Sequence, residues 1–168
     1  MEEGYTEYVQ TRWYRAPEVM LSSQNYSRSV DIWSVGCIMG ELIKREVLFP
    51  GNQYTQQLKL YCDLIGLPED QDLTFITNEK ALKYILTLNR IPKDFADVFP
   101  DANPVALDLL QKMLILNPNK RITVDEALAH PYFDNLHIPE LEIVCEKPFE
   151  LHVNDQSIRR EDLQVSID

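Results

Sequence analysis

Two phosphate-acceptor side chains, Thr6 and Tyr8, stand one residue apart near the beginning of the sequence and are followed by Arg12 and Arg15. A phosphate on either acceptor would add roughly 1.5 to 2 negative charges and three strong acceptor oxygens. The planar guanidinium of arginine matches phosphate geometry and can bind it through two N–H donors at once. The spacing therefore predicts a phosphorylation switch in which a guanidinium clamps a phosphate of the same chain.

A longer motif surrounds this switch. Residues 6–18 read TEYVQTRWYRAPE and end in Ala-Pro-Glu. In protein kinases this tripeptide ends the activation segment, and phosphorylation sites lie just before it. With its T-x-Y pair, the chain resembles the mitogen-activated protein kinases of the extracellular-signal-regulated type. The resemblance continues through residues 31–37 (DIWSVGC), 49–51 (FPG), 106–113 (ALDLLQKM), 120–122 (KRI) and 130–132 (HPY).

The resemblance implies roles for the residues of the switch. Thr6 and Tyr8 would be the acceptors of an upstream dual-specificity activating kinase, and Arg12 and Arg15 would bind the phosphate on Tyr8. An isolated T-x-Y would be read as ordinary loop sequence, but the surrounding motif favours the switch.

The same resemblance implies a substrate pocket formed by Val9, Thr11, Arg12 and Arg15, with Thr11 adjacent to the catalytic centre. The pocket would accept the proline that follows a phosphorylated serine or threonine. Proline suits such a pocket because it has no N–H to be buried without a partner. Protein substrates with Ser-Pro or Thr-Pro sites are therefore the expected partners.

The motifs that bind ATP and transfer its phosphate do not occur in the 168 residues: there is no Gly-rich phosphate loop, no H-R-D catalytic loop and no D-F-G metal ligand. We expect ATP and Mg²⁺ to be cofactors of a parent kinase, and neither to bind this chain alone. The leading hypothesis is a C-terminal portion of a proline-directed serine/threonine kinase. The alternative is a noncatalytic module that binds kinases or substrates, and an H-R-D and D-F-G set upstream in the same gene product would decide against it.

Composition limits the partners. The net charge of −11 argues against nucleic acid and anionic membranes, which reward Lys and Arg clusters. No apolar stretch approaches the roughly 18 residues that a membrane helix needs. The three cysteines, Cys37, Cys62 and Cys145, lack metal-ligand spacing and are expected to be buried and unpaired, while the three histidines predict no metal site. We expect a cytoplasmic location, with the nucleus as the alternative.

The apolar spacing is helical throughout, which predicts a mainly α fold. The resemblance implies that this fold is the large lobe of a protein kinase, with the N-terminal lobe and catalytic loop absent. We divide the chain into an activation segment (1–18), a helical core that includes the kinase insert (19–135) and a C-terminal extension (136–168).

Local signals predict individual helices. Ser29 is expected to cap a long, largely buried helix in which Gly36 and Gly40 allow close approach of neighbouring segments. Asn103 before a proline, and a capping box starting at Thr123, predict two further helix starts. Other helices are expected over 54–65, ending at Gly66, over 80–88, and over 159–165. The apolar stripe of the long helix comprises Ile32, Val35, Ile38, Met39, Leu42 and Ile43.

The remaining expectations concern scaffold and docking. Glu18 and Arg121 resemble a buried ion pair, and Trp33 is expected to pack in the core. Asp31 resembles a buried carboxylate whose usual donors would be missing, so we expect reduced stability or self-association of the chain. The resemblance also implies a hydrophobic docking groove, formed by Met20, Leu21, Tyr54, Leu58 and Tyr84.

A second docking surface of the family uses two aspartates that attract basic peptides. The matching positions here hold Ile138 and Leu141, with Glu140 and Glu142 nearby. The sequence therefore leaves the strength of acidic docking open.

Overall fold

A computed structural model describes residues 12–21, 27–67, 70–89 and 91–141. All regular secondary structure in these ranges is helical, which confirms the mainly α fold. The chain divides into two compact units, residues 1–137 and 138–168. The α-helices, all in the first unit, are α1 (Pro17–Leu21), α2 (Ser29–Lys44), α3 (Tyr54–Ile65), α4 (Glu79–Ile85), α5 (Phe95–Val98), α6 (Pro104–Met113) and α7 (Val124–Leu128). Short 3₁₀ helices cover Asp70–Leu73 and Pro131–Phe133, and in the second unit Pro139–Leu141.

An aromatic cluster forms the centre of the core. Trp33 from α2 is fully buried and contacts Phe49, with ring centroids 5.9 Å apart, and Tyr61 of α3, with centroids 4.9 Å apart. Aromatic side chains contribute large apolar areas and favour such stacked and edge-on contacts. The cluster joins α2, α3 and the turn before α3 into one core.

The helix starts follow the local sequence signals in most places. The side chain of Asn103 accepts a hydrogen bond from the Val105 N–H (2.8 Å), and Thr123 forms the predicted capping box with Glu126. Helix α3 ends at Gly66, as predicted, where the backbone takes a φ of 71°. The helix predicted over 80–88 is also present, although it covers Glu79–Ile85. The helix predicted over 159–165 lies outside the described residues.

The prediction that Ser29 caps α2 is wrong. The N-cap residue is Arg28, which makes no side-chain capping bond, and Ser29 is the first helical residue. The Ser29 hydroxyl lies 2.9 Å from that of Ser27 and 3.4 Å from a carboxylate oxygen of Glu18. The serine before the apolar stripe is therefore the first residue of the helix and not its cap.

The prediction that much of α2 is buried is confirmed for only half of its apolar stripe. Ile32 is buried, and Met39 and Ile43 pack against the core. Val35, Ile38 and Leu42, however, are 48%, 49% and 74% exposed. The buried face instead includes Trp33, Gly36, Cys37 and Gly40. Periodicity marks apolar positions but does not say which of them meets a neighbour.

The two glycines of α2 do allow close approach, as predicted. A Cβ on Gly36 would lie 3.0 Å from side-chain atoms of both Met113 and Leu114, and one on Gly40 would lie 2.7 Å from Leu48 Cδ2. Helix α6 and the segment after α2 therefore pack directly against the α2 backbone.

Cys37 and Cys62 are buried and unpaired, as predicted, while Cys145 lies outside the described residues. Burial raises the pKa of the Cys37 thiol, and it raises the pKa of Cys62 to about 12. Both thiols are therefore protonated at neutral pH and behave as small apolar side chains. Among the described helices, none is both long and apolar enough to cross a membrane.

Candidate functional site

The segment 12–15 is tied to the core through its backbone and its first arginine. Arg12 Nη1 donates a hydrogen bond to the Asn52 carbonyl (3.0 Å), and the Arg15 carbonyl accepts one from the Tyr61 hydroxyl (2.6 Å). Within the described residues, the guanidinium of Arg15 has no hydrogen-bond or ion-pair partner. The two arginines therefore have a fixed backbone and N–H donors that can still bind an anion.

Tyr14, between the two arginines, is fixed by α2. Its hydroxyl donates to Glu41 Oε2 (2.7 Å), and its carbonyl accepts from the Ser34 hydroxyl (2.9 Å). The hydrogen bond to the Glu41 carboxylate, with burial, raises the pKa of Tyr14 to about 12. Tyr14 is therefore a neutral donor at physiological pH. Sequence reasoning missed this contact because its partners are 20 and 27 residues away.

Helix α1 is fastened to the core by the ion pair predicted from the sequence. Arg121 Nη1 and Nη2 lie 2.7 and 2.8 Å from the two carboxylate oxygens of Glu18, and both side chains are buried. Arg121 also donates to the carbonyls of Ser29 (2.6 Å) and Ile115 (3.0 and 3.1 Å). A buried pair is compensated only when its remaining donors and acceptors are also satisfied. These contacts meet that requirement and join α1, α2 and the segment after α6.

The indole ring of Trp33 packs against the Arg121 guanidinium of this pair. The Cζ of Arg121 lies 5.1 Å from the centroid of the Trp33 ring, a cation–π distance. Trp33 Nε1 has no hydrogen-bond partner within the described part of the chain. Trp33 therefore acts through packing, in keeping with its predicted structural role.

The structure separates the predicted site residues into two sets. Thr6, Tyr8, Val9 and Thr11 lie outside the described residues. Their phosphorylation and substrate roles therefore stay predictions. Arg12 and Arg15 lie close to helix α1, but their binding of phosphotyrosine likewise stays a prediction.

The predicted docking groove is only partly accessible. Leu21 and Leu58 are 1% and 0% exposed and belong to the core, so their assignment to the groove surface is wrong. Met20, Tyr54 and Tyr84 keep accessible surface. The Tyr54 hydroxyl donates to the carbonyl of Met20. Helical spacing could not separate core from groove here because both need apolar residues at the same intervals.

Tyr84 belongs to the same surface, since its hydroxyl donates to the carbonyl of Thr55 (3.1 Å) at the start of α3. Helices α1, α3 and α4 thus each contribute one accessible side chain, and hydrogen bonds hold the tyrosines. The surface that remains is smaller than the predicted one.

Asp31 is exposed on the first turn of α2. The expectation that it is a buried acceptor without donors is therefore wrong for this chain, since water can reach its carboxylate.

In the second unit, Ile138 and Leu141 are 50% and 71% exposed, and Glu140 is exposed beside them. This short stretch presents two apolar side chains and one carboxylate.

A buried histidine pairs with an acidic residue in a way that the sequence did not reveal. His130 Nε2 lies 2.7 Å from Asp108 Oδ2, and its Nδ1 accepts the Tyr132 N–H (3.2 Å). Since Nδ1 is an acceptor, the proton sits on Nε2 and is donated to Asp108. Hydrogen bonds from Lys112 and His130 hold the pKa of Asp108 below its usual value. The arrangement joins α6 to the segment after α7.

Among the described residues, no group of three or more His, Cys, Asp or Glu side chains could hold a metal ion. The phosphate-loop, H-R-D and D-F-G motifs do not occur in the 168 residues. What the site offers is a fixed arginine-bearing segment beside an anchored Ala-Pro-Glu helix.

The helical core, the Ala-Pro-Glu helix and the buried Glu18–Arg121 pair define the class of the protein. A family model described as "Protein kinase domain" matches residues 1–133, and the chain belongs to the protein kinase family.

Among curated proteins, the chain is 51% identical over 163 residues to the mitogen-activated protein kinase homolog NTF6 of Nicotiana tabacum. It is 48% identical over 163 residues to the mitogen-activated protein kinase mpk-1 of Caenorhabditis elegans, and 49% identical over 163 residues to extracellular signal-regulated kinase 1 of Dictyostelium discoideum. Each match covers 96% of this chain but only 44%, 37% and 31% of the respective relative. The resemblance to mitogen-activated protein kinases of the extracellular-signal-regulated type is thus confirmed, and the chain spans less than half the length of these relatives.

Proposed function

We propose that this chain is the activation segment and large-lobe portion of a proline-directed serine/threonine protein kinase. The parent enzyme would transfer the γ-phosphate of ATP, with Mg²⁺, to protein substrates after dual phosphorylation of Thr6 and Tyr8. Its relatives are mitogen-activated protein kinases, and its helical core is that of the kinase family. We further propose a cytoplasmic or nuclear location, as expected for such a signalling enzyme.

The observation that carries this proposal is the buried Glu18–Arg121 pair. It fastens the helix that follows the arginine-bearing segment to the core through two hydrogen bonds of 2.7 and 2.8 Å. A phosphorylation switch changes the charge of a segment locally. If one end of that segment is fixed to the core, the added phosphate can bring the rest of the segment to a defined position. Glu18 supplies that fixed end ten residues after Tyr8.

The described arginines are suited to the phosphate of the switch. A guanidinium carries five N–H donors, and Arg12 uses one of them on the Asn52 carbonyl. Phosphorylation of Tyr8 would bring an anion that Arg12 and Arg15 can bind with charge-assisted hydrogen bonds. Arg15 in particular has its backbone held by Tyr61, so its side chain can turn without moving α1.

The chemistry of phosphoryl transfer is assigned to the parent and not to this chain. Transfer depends on a phosphate loop, a lysine, a catalytic aspartate and metal ligands, and none of these motifs is present in the sequence. The contribution of this chain would be to position the substrate and to respond to the activating kinase.

Docking of partners would rely on the accessible apolar surface. Ile138 and Leu141 carry no charge that would attract a basic peptide, and Glu140 supplies one carboxylate between them. Met20, Tyr54 and Tyr84 remain accessible and include the Met and aromatic types that suit adaptable contacts. We propose that partner choice depends more on this surface than on acidic docking.

Treatment of the full chain with an active dual-specificity kinase tests the switch. Mass spectrometry should find phosphate on Thr6 and Tyr8, and neither site should be labelled in the Thr6→Ala/Tyr8→Phe variant. Tyr5 is a built-in control because it lies outside the T-x-Y pair. Phosphate on other residues, but never on these two, would contradict the proposal.

The same purified chain tests the proposal that phosphoryl transfer needs residues of the parent kinase that this chain lacks. We expect no ATP-dependent phosphorylation of a Thr-Pro peptide by the chain alone, since the transfer motifs are absent. Turnover that persists after contaminating kinases have been removed would contradict this expectation.

A further inference from the structure

We propose that Tyr61 of α3 is a positioning residue for substrate binding: its hydroxyl holds the Arg15 carbonyl and thereby sets where the Arg15 guanidinium lies. This role rests on the proposed function, in which the chain positions the protein substrate and Arg15 belongs to the pocket for the proline after the phosphorylated residue. Tyr61 itself lies far outside the TEYVQTRWYRAPE motif.

The core needs the ring of Tyr61 but not its hydroxyl. The side chain is fully buried, and its ring makes edge contacts with Trp33 and Phe49 at centroid distances of 4.9 and 4.8 Å. A phenylalanine ring could make the same contacts, whereas a buried phenol must also find a hydrogen-bond partner. The Tyr61 hydroxyl finds it in the Arg15 carbonyl at 2.6 Å, 46 residues away in the sequence. The hydroxyl is therefore directed at the arginine-bearing segment.

The Tyr61 hydroxyl is a donor in a fixed position. Burial raises the pKa of Tyr61, so the hydroxyl stays protonated at physiological pH. Met20 Sδ, at 3.9 Å, is a weak acceptor, and a hydroxyl has a single hydrogen to donate. Because the aromatic cluster holds the ring, loss of the bond would release the segment and leave Tyr61 in place.

The bond from Tyr61 acts on a short turn that carries both arginines. The Arg15 N–H donates to the Arg12 carbonyl (3.1 Å), and Arg12 Nη1 donates to the Asn52 carbonyl (3.0 Å). Among the described residues, no donor other than Tyr61 is seen for the Arg15 carbonyl. Tyr14 is held by α2, so α2 and α3 each hold one of two adjacent residues.

The position of the Arg15 backbone should affect substrate binding directly. A guanidinium on a backbone that is already in place loses less entropy when it binds, and this saving appears as affinity. The net contribution of one hydrogen bond corresponds to about three- to tenfold in a binding constant. We therefore expect an effect of this size on substrate affinity and on the preference for proline.

Hydrogen exchange of the full chain, followed by mass spectrometry, tests the hold of Tyr61 on Arg15. Tyr61→Phe should speed exchange over residues 12–16 by about three- to tenfold, because local opening of the segment then breaks one hydrogen bond fewer. Asn103→Ala is the control for general destabilisation, since it removes the cap of α6 and no contact of the segment. It should leave exchange over residues 12–16 unchanged, and urea unfolding shows how much each variant is destabilised.

A chimera tests the consequence for the substrate. The chain would replace the matching portion of the Caenorhabditis elegans kinase mpk-1 and be treated with a dual-specificity activating kinase. Tyr61→Phe should raise the KM for a Thr-Pro peptide by about three- to tenfold with little change in kcat, and lower the Thr-Pro to Thr-Ala ratio of kcat/KM. A merely structural loss would reduce the amount of active enzyme, which lowers kcat and leaves KM and that ratio unchanged. Asn103→Ala should show only this second pattern.

Two results would overturn the proposal. The first is equal exchange over residues 12–16 in the wild type and in Tyr61→Phe. The second is an active chimera in which Tyr61→Phe changes KM and the peptide ratio no more than Asn103→Ala does. An inactive chimera with Tyr61 in place would instead contradict the proposed function and, with it, the substrate role of Tyr61. The exchange measurement would still decide whether Tyr61 holds Arg15.

Discussion

Replacing Glu18 with glutamine removes the only negative charge that contacts the buried Arg121 guanidinium among the described residues. The two side chains share hydrogen bonds of 2.7 and 2.8 Å, and their exposed fractions are 1% and 0%. Glutamine keeps one acceptor, but its NH₂ group meets an arginine N–H. Loss of one partner of a buried pair costs about 3 to 5 kcal/mol. Since Arg121 keeps its bonds to backbone carbonyls, we expect about 3 kcal/mol for Glu18→Gln.

Urea unfolding followed by circular dichroism and tryptophan fluorescence measures the change in the free energy of unfolding. Thermal unfolding gives a second readout: at about 2 to 4 °C per kcal/mol for a chain of this size, the melting temperature should fall by about 6 to 12 °C. Asp63→Asn is the matched control, because Lys59 and Asp63 form an ion pair whose side chains are 60% and 31% exposed. That change should cost less than about 1 kcal/mol.

A double-mutant cycle with Arg121→Met separates the pair from its surroundings. Because the second change removes the stranded charge, Glu18→Gln/Arg121→Met should cost less than the sum of the single variants, with a coupling of about 1 to 3 kcal/mol. If Glu18→Gln is no more destabilising than Asp63→Asn, or if the costs are additive, the ion pair does not fasten α1 as argued.

Three further changes test the scaffold. In Gly51→Ala, the new Cβ would lie 2.8 Å from the Gln57 Cα. We therefore expect the free energy of unfolding to fall by about 1 to 3 kcal/mol. An unchanged urea midpoint would contradict the tight packing. Thr123→Ala removes the capping box and should cost about 1 kcal/mol in the same assay, whereas no loss would mean that the cap is not stabilising. The hydrogen bond from Lys112 lowers the pKa of Asp108 in the folded chain below its ordinary value of 3.8. The Asp108 carboxylate therefore contributes fully to stability above that pH, and this contribution is lost as the pH falls through the pKa of the folded chain. Asp108→Asn should therefore be slightly less stable than wild type at pH 7, with a difference that vanishes in acid; a difference that grows on acidification would contradict this sign.

Local signals in the sequence predicted the helix ends that depend on nearest neighbours. The caps at Asn103 and Thr123 and the stop at Gly66 were predicted correctly, because each depends on residues within about four positions. Ser29 failed as a cap since its hydroxyl is directed to Ser27 and Glu18, one of which is far away in sequence.

Predictions about which side of a helix is buried were less successful. Val35, Ile38 and Leu42 share the period of the buried residues but face outward, and Leu21 and Leu58 are buried where a surface groove was expected. Periodicity gives the spacing of apolar residues, whereas burial depends on tertiary neighbours. The Glu18–Arg121 pair was found only through family resemblance, and the contacts Tyr14–Glu41 and His130–Asp108 left no local signal.

A chimera offers the most direct test of the central proposal, that this chain supplies the switch and substrate-positioning part of a kinase. The chain would replace the matching portion of the Caenorhabditis elegans kinase mpk-1, to which it is 48% identical. After treatment with an activating kinase, we expect the chimera to phosphorylate a Thr-Pro peptide, and we expect Thr6→Ala/Tyr8→Phe to abolish that activity. A folded chimera that stays inactive, or one whose activity is unaffected by the loss of Thr6 and Tyr8, would contradict the proposal and favour a noncatalytic binding module.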